Sequence, residues 1–268
     1  MVRQLQGVRG YMQEIDCAEW LSEVSDIMIY EDPDQLDPKV PLLTYGNLRA
    51  KWLTRWIEQQ RPIICMNRPH IAGWAGQYDL DARRFSINGY ACTQLGQRSH
   101  DRFPLLKLPR HRWRVKKIRR VLIAPPGKLL WFWKRVHAEQ WAREQAGFFA
   151  DKKVEVRFRW KYDNRKGKGG RYVDLWQDLD WADLVVSWGS AITAEAFWYG
   201  KKVISLGPCP TWVCCDRDYA NWSDVQEPAG RDEWHEHMAW TQFTRDEMRN
   251  GLGAAMILQY QGWPILEH

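Results

Sequence analysis

The stretch DLVVSWGSAITAEAFWYGKKVISLG, Asp183 to Gly207, decides the fold. Leu184 to Ser187 is a short apolar run closed by Trp188, Gly189 and Ser190, the pattern of a buried strand. Ala191 to Tyr199 reads as a helix that stops at Gly200, and Val203 to Leu206 reads as a second buried strand. Strand, helix and strand in such close succession make a βαβ unit, whose two strands are parallel. The same alternation extends toward the N-terminus. Val121 to Ala124 is an apolar run stopped by Pro125, Pro126 and Gly127, and Leu129 to Phe149 reads as a helix. Val154, Val156, Phe158 and Trp160 alternate with Glu155, Arg157, Arg159 and Lys161, which predicts a strand with one polar face. A Gly/Lys loop, Lys161 to Gly170, leads to a short helix over Asp174 to Asp180 with Leu175, Trp176 and Leu179 inward.

The N-terminal half shows weaker signals of the same kind. Asp26 to Tyr30, Leu42 to Tyr45 and Ile63 to Met66 are predicted strands. Asn47 is placed to cap a helix reaching Gln59, with Trp52, Trp56 and Ile57 on its inner face. Near the end of the chain, Thr244 and Glu247 have capping-box spacing and open a last helix with Met248, Leu252 and Met256 on one stripe. The expected fold is α/β, with two Rossmann-like doubly wound domains facing a cleft, residues 1–109 and 110–268, and a C-terminal helix in the second. Ligands of such sheets bind beyond the carboxyl ends of the strands.

Composition narrows the function classes. The 268 residues are 45% hydrophobic and 27% charged, an ordinary globular balance that argues against disorder. No run approaches the ~18 apolar residues of a membrane span, and Met1 to Cys17 holds no apolar stretch of signal-peptide type, so a cytoplasmic protein is expected. The six cysteines lack paired zinc spacing and read as reduced thiols. Two features are unusual. There are 18 tryptophans. Most, including Trp52, Trp56, Trp131, Trp176 and Trp181, fall on inward positions, while Trp74, Trp188, Trp212 and Trp222 lie near predicted strand ends, where a ring can stack on a base or sugar. The net charge of +6 is also uneven: Lys107 to Arg120 holds eight Lys/Arg and no acid, and Asp151 to Arg171 holds nine against three acids. Basicity this local suggests an anion site, although two solvated basic loops would give the same pattern.

Asp183 to Gly207 also carries the best candidate site. The turn after the strand places free backbone N–H groups and the positive end of a helix at the strand's carboxyl end, a seat for phosphate. Gly189 lets the backbone approach a ligand, Ser190 can donate a hydroxyl, and Glu195 lies where a carboxylate can accept from vicinal ribose hydroxyls. The plainer alternative is that Ser190 only caps the helix and Glu195 answers its dipole.

With these residues in view, the run from Asp183 through Gly189, Ser190 and Glu195 to Gly200, then Val203 to Pro208, resembles the nucleotide-sugar half of GT-B glycosyltransferases. Tyr78 to Gly89, Arg157 to Lys161, Val225 to Pro228 and Trp240 to Gly251 are similar to glycosyltransferase-like proteins carried by bacteriophages. The resemblance implies a compact GT-B-like transferase, with an acceptor domain over 1–109 and a donor domain over 110–268. In it the glycine-serine turn meets the donor pyrophosphate and Glu195 holds the ribose. The chain departs from the pattern at Lys201–Lys202, where a small residue and a proline are commoner, and Tyr45, Gly46 and Asn47 are the nearest thing to a glycine-rich acceptor loop.

On that reading Lys128, Arg157 and Lys161 neutralise the diphosphate of a nucleotide sugar such as a UDP-sugar, with no metal and no other cofactor. Asp178 and Asp180 have metal-pair spacing but read as surface carboxylates. His235 and His237, beside Glu233 and Glu236, sit i and i+2 on a helix and point apart. If the anomeric centre inverts, His70 or Asp79 is the candidate base. The expected acceptor is a hydroxymethylated pyrimidine in phage DNA. Arg112, Arg114, Lys116 and Lys117 would hold its phosphates, because a base must be extruded from the duplex to react. The alternatives are a transferase acting on a surface glycan and a catalytically silent nucleic-acid-binding protein.

Overall fold

The computed structural model describes residues 4–8, 26–45, 51–59, 61–67, 83–87, 111–125, 137–160, 175–207 and 209–252. The chain divides into two compact units, residues 1–106 with 236–268, and residues 107–235.

In the first unit the strands are β1 (Gln4–Val8), β2 (Asp26–Tyr30), β3 (Leu42–Tyr45), β4 (Ile63–Asn67) and β5 (Arg83–Ile87), with helix α1 (Lys51–Glu58) between β3 and β4. A late two-residue strand, β10 (Gln242–Phe243), joins them in a six-stranded sheet of order β10-β5-β4-β3-β1-β2. β1 to β4 are parallel, and β5 is antiparallel to both β4 and β10. The first sheet is therefore mixed, with its antiparallel pairings confined to the β10-β5-β4 end. The predicted strands are present. On α1, Leu53 and Trp56 are buried, and Trp56 Nε1 donates to Pro62 O at 3.1 Å. Gln6 is fully buried in β1 because its amide is matched: it donates to the carbonyls of Asp37 and Val40 and accepts from Asp37 N–H. Thr244 and Glu247 form the expected capping box at the start of α6 (Arg245–Arg249). Met248 is buried on that helix, but Leu252 is exposed, so the apolar stripe ends sooner than its spacing suggests.

The second unit holds β6 (Arg120–Ala124), α2 (Ala138–Phe149), β7 (Glu155–Phe158), α3 (Leu175–Trp181), β8 (Leu184–Ser187), α4 (Ile192–Trp198) and β9 (Lys202–Ser205); α5 (Arg231–Trp240) follows. Its sheet is wholly parallel, in the order β7-β6-β8-β9. Val121, Ile123, Leu184, Val186 and Ile204 pack with Trp141, Ala142 and Phe149 of α2. Side chains alternate along a strand, so Leu122 and Val185 point to the other face, which α3 and α4 cover with Leu179, Ala194 and Phe197. The crossover from β6 to β7 runs one way across the sheet, and those from β7 to β8 and from β8 to β9 run the other, so right-handed connections put α2 on one face and α3 and α4 on the opposite one. No helix among the described residues is long and apolar enough to cross a membrane.

Candidate functional site

The connections of the second unit reverse direction at β6. The chain goes from β6 to β7 on one side, and β8 pairs on the other. Such a reversal leaves a crevice beyond the carboxyl ends of the two central strands. Its floor is the pair Ala124 and Ser187, which lie opposite each other in register, and Ser187 Oγ–H donates to Ala124 O at 2.9 Å.

The turn above this floor has the local geometry an anion needs. Gly189 is left-handed, with φ +59°, a conformation that costs a residue with a Cβ. No described residue accepts from the N–H of Gly189, Ser190 or Ala191. The next turn is closed by Ser190, whose carbonyl accepts from Thr193 N–H and from Thr193 Oγ1–H at 2.7 Å. Ser190 Oγ accepts from Ile192 N–H at 3.5 Å, a long bond that leaves the hydroxyl hydrogen for a ligand. Trp188 spans the ends of β8 and β9. A Cβ on Gly207 would stand 2.4 Å from the indole Nε1, so only glycine fits under this ring.

Glu195 lies one turn into α4 and is half-buried, and no described residue donates to or pairs with its carboxylate. Burial pushes its pKa up from the ordinary 4.5 to about 8, and the charge of Arg159 only partly offsets this. At neutral pH the group is thus largely a neutral acid. Arg159 and Arg157 share a face of the sheet and converge on one carboxylate: Arg159 Nη1 lies 2.5 Å from Asp178 Oδ2, and Arg157 Nη1 lies 3.3 Å from Oδ1. Asp178 is buried, which corrects its reading as a surface carboxylate; two guanidinium partners repay its desolvation. Arg157 also stacks on Trp181 at 4.1 Å, yet its side chain stays 43% exposed. Two cations on one acid leave this corner with excess positive charge beside Glu195. The alternation that runs through β7 already puts Arg159 on the face of Arg157, whereas no local signal marks Asp178 as their shared partner.

The structure brings Gly189, Ser190 and Glu195 together at the crevice, with Arg157 on the adjoining face. Lys128, Lys161, His70 and Asp79 lie outside the described residues, as do Trp74 and Trp131. Of the other tryptophans read as ring platforms, Trp222 packs on Phe148 and Phe149, and Trp212 is covered by Arg217 at 4.7 Å. Among the described residues no three His, Cys, Asp or Glu side chains are grouped to hold a metal ion.

The basic segment before β6 sits elsewhere. Because Arg120 opens β6, the residues before it lie at the amino end of the parallel sheet, opposite the Gly189 turn. A strand of this length separates the two ends by ~15 Å. Val115 and Ile118 anchor the segment in the core, and Trp113 Nε1 donates to Val225 O at 2.6 Å. Arg114 is engaged: its N–H donates to Gly200 O, its guanidinium pairs with Asp180 at 3.4 Å, and it stacks on Tyr199 at 4.1 Å. Arg112, Lys116 and Lys117 are exposed and have no described partner.

No protein-family model matches the chain, and no curated protein matches it. Two solved structures of KpsC from Thermosulfurimonas dismutans are similar to it. One, described as a beta Kdo 2,7 transferase, superposes with a TM-score of 0.52 at 13% identity, over 96% of this chain and 100% of that one. The other, described as a beta Kdo 2,4 transferase, gives 0.51 at 14% identity, over 89% of this chain and 90% of that one. At such identity the likeness is one of fold, a mixed α/β architecture built on parallel sheets.

Proposed function

We propose that the protein is a glycosyltransferase that takes its sugar from a nucleotide-sugar donor held at the carboxyl edge of β6 and β8. The observation that carries this reading is the crevice itself: amides at Gly189 to Ala191 with no acceptor among the described residues, followed one turn into α4 by Glu195, whose carboxyl has no described partner. The fold of two proteins described as Kdo transferases supports it. The amides and Ser190 hold the diphosphate, Glu195 holds the ribose, and Arg157 with Lys128 and Lys161 neutralises the charge of the leaving nucleotide without a metal. His70 or Asp79 takes the acceptor proton if the reaction inverts the anomeric centre. A thermal-shift screen of UDP-sugars and other nucleoside-diphosphate sugars tests the donor: a ligand at ~100 times its Kd stabilises by ~2.7 kcal/mol. Glu195→Ala lowers nucleotide affinity by ~1.5–3 kcal/mol on this reading. No stabilisation by any nucleotide sugar would overturn it.

For the acceptor, the sequence points to a hydroxymethylated pyrimidine in phage DNA, held by Arg112, Arg114, Lys116 and Lys117; of these Arg112, Lys116 and Lys117 have no described partner. The alternative acceptor is a surface glycan; the exposed cations stand at the amino edge of the sheet, away from the crevice of their own unit. Salt dependence of DNA binding separates the two. Each phosphate neutralised contributes ~0.9 to the log-log slope, so changing Arg112, Lys116 and Lys117 together to Gln lowers the slope by about two to three if they track DNA. A slope that ignores the triple change assigns the acceptor to the glycan class.

A further inference from the structure

The loop after β9 carries Cys209, Cys214 and Cys215, and their geometry goes beyond packing. Cys209 is fully buried, and its Sγ lies 3.9 Å from Cys215 Sγ and 3.1 Å from Thr211 Oγ1. Cys214 is turned elsewhere, with its thiol donating to Thr211 O at 3.4 Å. Residues 211–215 form one tight turn, in which the N–H groups of Cys214 and Cys215 both donate to Thr211 O at 2.9 Å. This turn folds Cys215 back over Cys209. Cys215 is half-buried, so the pair has one thiol facing inward and one that solvent can reach.

The surroundings favour reaction at this pair. Burial opposes ionisation of Cys209, but hydrogen bonding, above all from the Cys215 thiol and with the Thr211 hydroxyl, outweighs it and draws the thiol down to about 6. A hydroxyl beside a thiolate that faces a second sulfur forms the setting in which a resolving cysteine works.

We infer that Cys209 and Cys215 form a redox-active dithiol site that closes to a disulfide on reaction with a low-molecular-weight disulfide of the glutathione type. The neighbouring Cys209 and burial hold the Cys215 thiol well above its ordinary value, so Cys209 is the thiolate and serves as its base. Cys215, the reachable thiol, passes its proton to Cys209 and attacks one sulfur of the oxidised glutathione, expelling one glutathione thiolate and leaving a mixed disulfide. The departing thiolate takes the proton back from Cys209, whose thiolate then attacks the Cys215 sulfur, forming the Cys209–Cys215 bond and expelling the second glutathione, which is protonated by water. Two protein thiols are oxidised and one external disulfide is reduced to two thiols, so electrons and protons balance. The Sγ–Sγ distance must fall from 3.9 Å to ~2.05 Å, a movement within reach of the side chains of a surface loop. The bridge would tie residues 209–215 together beside Thr193, which belongs to the first turn of α4.

Thiol titration of the unfolded protein after equilibration with oxidised glutathione tests this directly. The wild type holds six cysteines and should fall from six titratable thiols to four, with the fragment Val203–Arg217 losing two hydrogens in its mass. Cys214→Ser should fall from five to three. Cys209→Ser should stop at the mixed disulfide and gain the mass of one glutathione on that fragment, because nothing is left to expel it. Cys215→Ser should form no internal bridge there. Near-ultraviolet circular dichroism of the reduced variants establishes that each is folded. A wild type that keeps six thiols, or a Cys215→Ser variant that still loses two hydrogens from the fragment, overturns the inference.

Discussion

Replacing Glu195 by Gln should make the protein more stable and poorer at holding a nucleotide. The first effect follows from the raised pKa. Below pH 4.5 the carboxyl is protonated in both the folded and the unfolded chain, so it does not affect the balance between them. As pH rises the unfolded chain ionises freely, while the folded one keeps its proton until about 8. Stability is therefore lost across that window, at about 1.4 kcal/mol per pH unit. By about pH 7.5 the loss is of order 4 kcal/mol, and relaxation of the surroundings with entry of water around this partly buried side chain lowers it to about 2 kcal/mol. Glutamine has the same shape and no proton to lose, so the variant escapes the penalty. Urea unfolding at about pH 7.5 should show a gain of roughly 2 kcal/mol, shrinking to a few tenths at about pH 5. The second effect runs the other way. Ribose hydroxyls donate to a carboxylate, so wild-type affinity for a nucleoside diphosphate should rise between about pH 6 and 8 and then level, as the group ionises for its ligand. The variant should show a flat profile, weaker by ~1.5–3 kcal/mol at about pH 8. A residue that destabilises its own fold and strengthens a ligand is the mark of a binding site. A variant less stable than wild type at neutral pH, or a gain that does not shrink toward pH 5, would refute the electrostatic argument. Equal nucleotide affinity in the two proteins would refute the ribose role.

Two further outcomes follow from packing. Gly207→Ala places a methyl 2.4 Å from the Trp188 indole and should cost ~1–3 kcal/mol in urea unfolding; in a Trp188→Ala background the same change should cost almost nothing. Arg231 is buried and donates to the carbonyls of Phe197, Trp198 and His111, closing the C-terminal end of α4. Arg231→Met keeps the aliphatic stem but strands these acceptors and should destabilise by ~3 kcal/mol; a loss under 1 kcal/mol in chemical denaturation would show that water replaces the guanidinium.

Read by itself, the sequence determined the second unit almost element by element. Val121 to Ala124, Leu184 to Ser187 and Val203 to Leu206 are apolar because central parallel strands are covered on both faces, and such runs, punctuated by Gly and Pro, can be read locally. The Gly189 turn and Glu195 were legible for the same reason: a strand, a glycine turn and a helix follow one another along the chain, so their relation in space is fixed by covalent proximity. In the first unit β2, β3 and β4 were legible, but β1, β5 and β10 were not, and neither was the sheet they form. β5 alternates Arg84 and Ser86 with Phe85, and β10 is two residues long, and nothing local says that the two pair antiparallel with each other across some 150 residues. Charge misled in the same way. Asp178 and Asp180 look alike on a short helix, yet one is buried under two guanidinium groups and the other remains exposed. Arg114 stands among unpartnered cations in the chain and finds its acid 66 residues away. Backbone pattern reports which face of an element is apolar, because that depends on neighbours in sequence. Which charge meets which, how far the basic segment stands from the Gly189 turn, and that Cys209 faces Cys215 rather than Cys214 are decided only when distant segments are packed, because those energies arise from contacts that no local window contains.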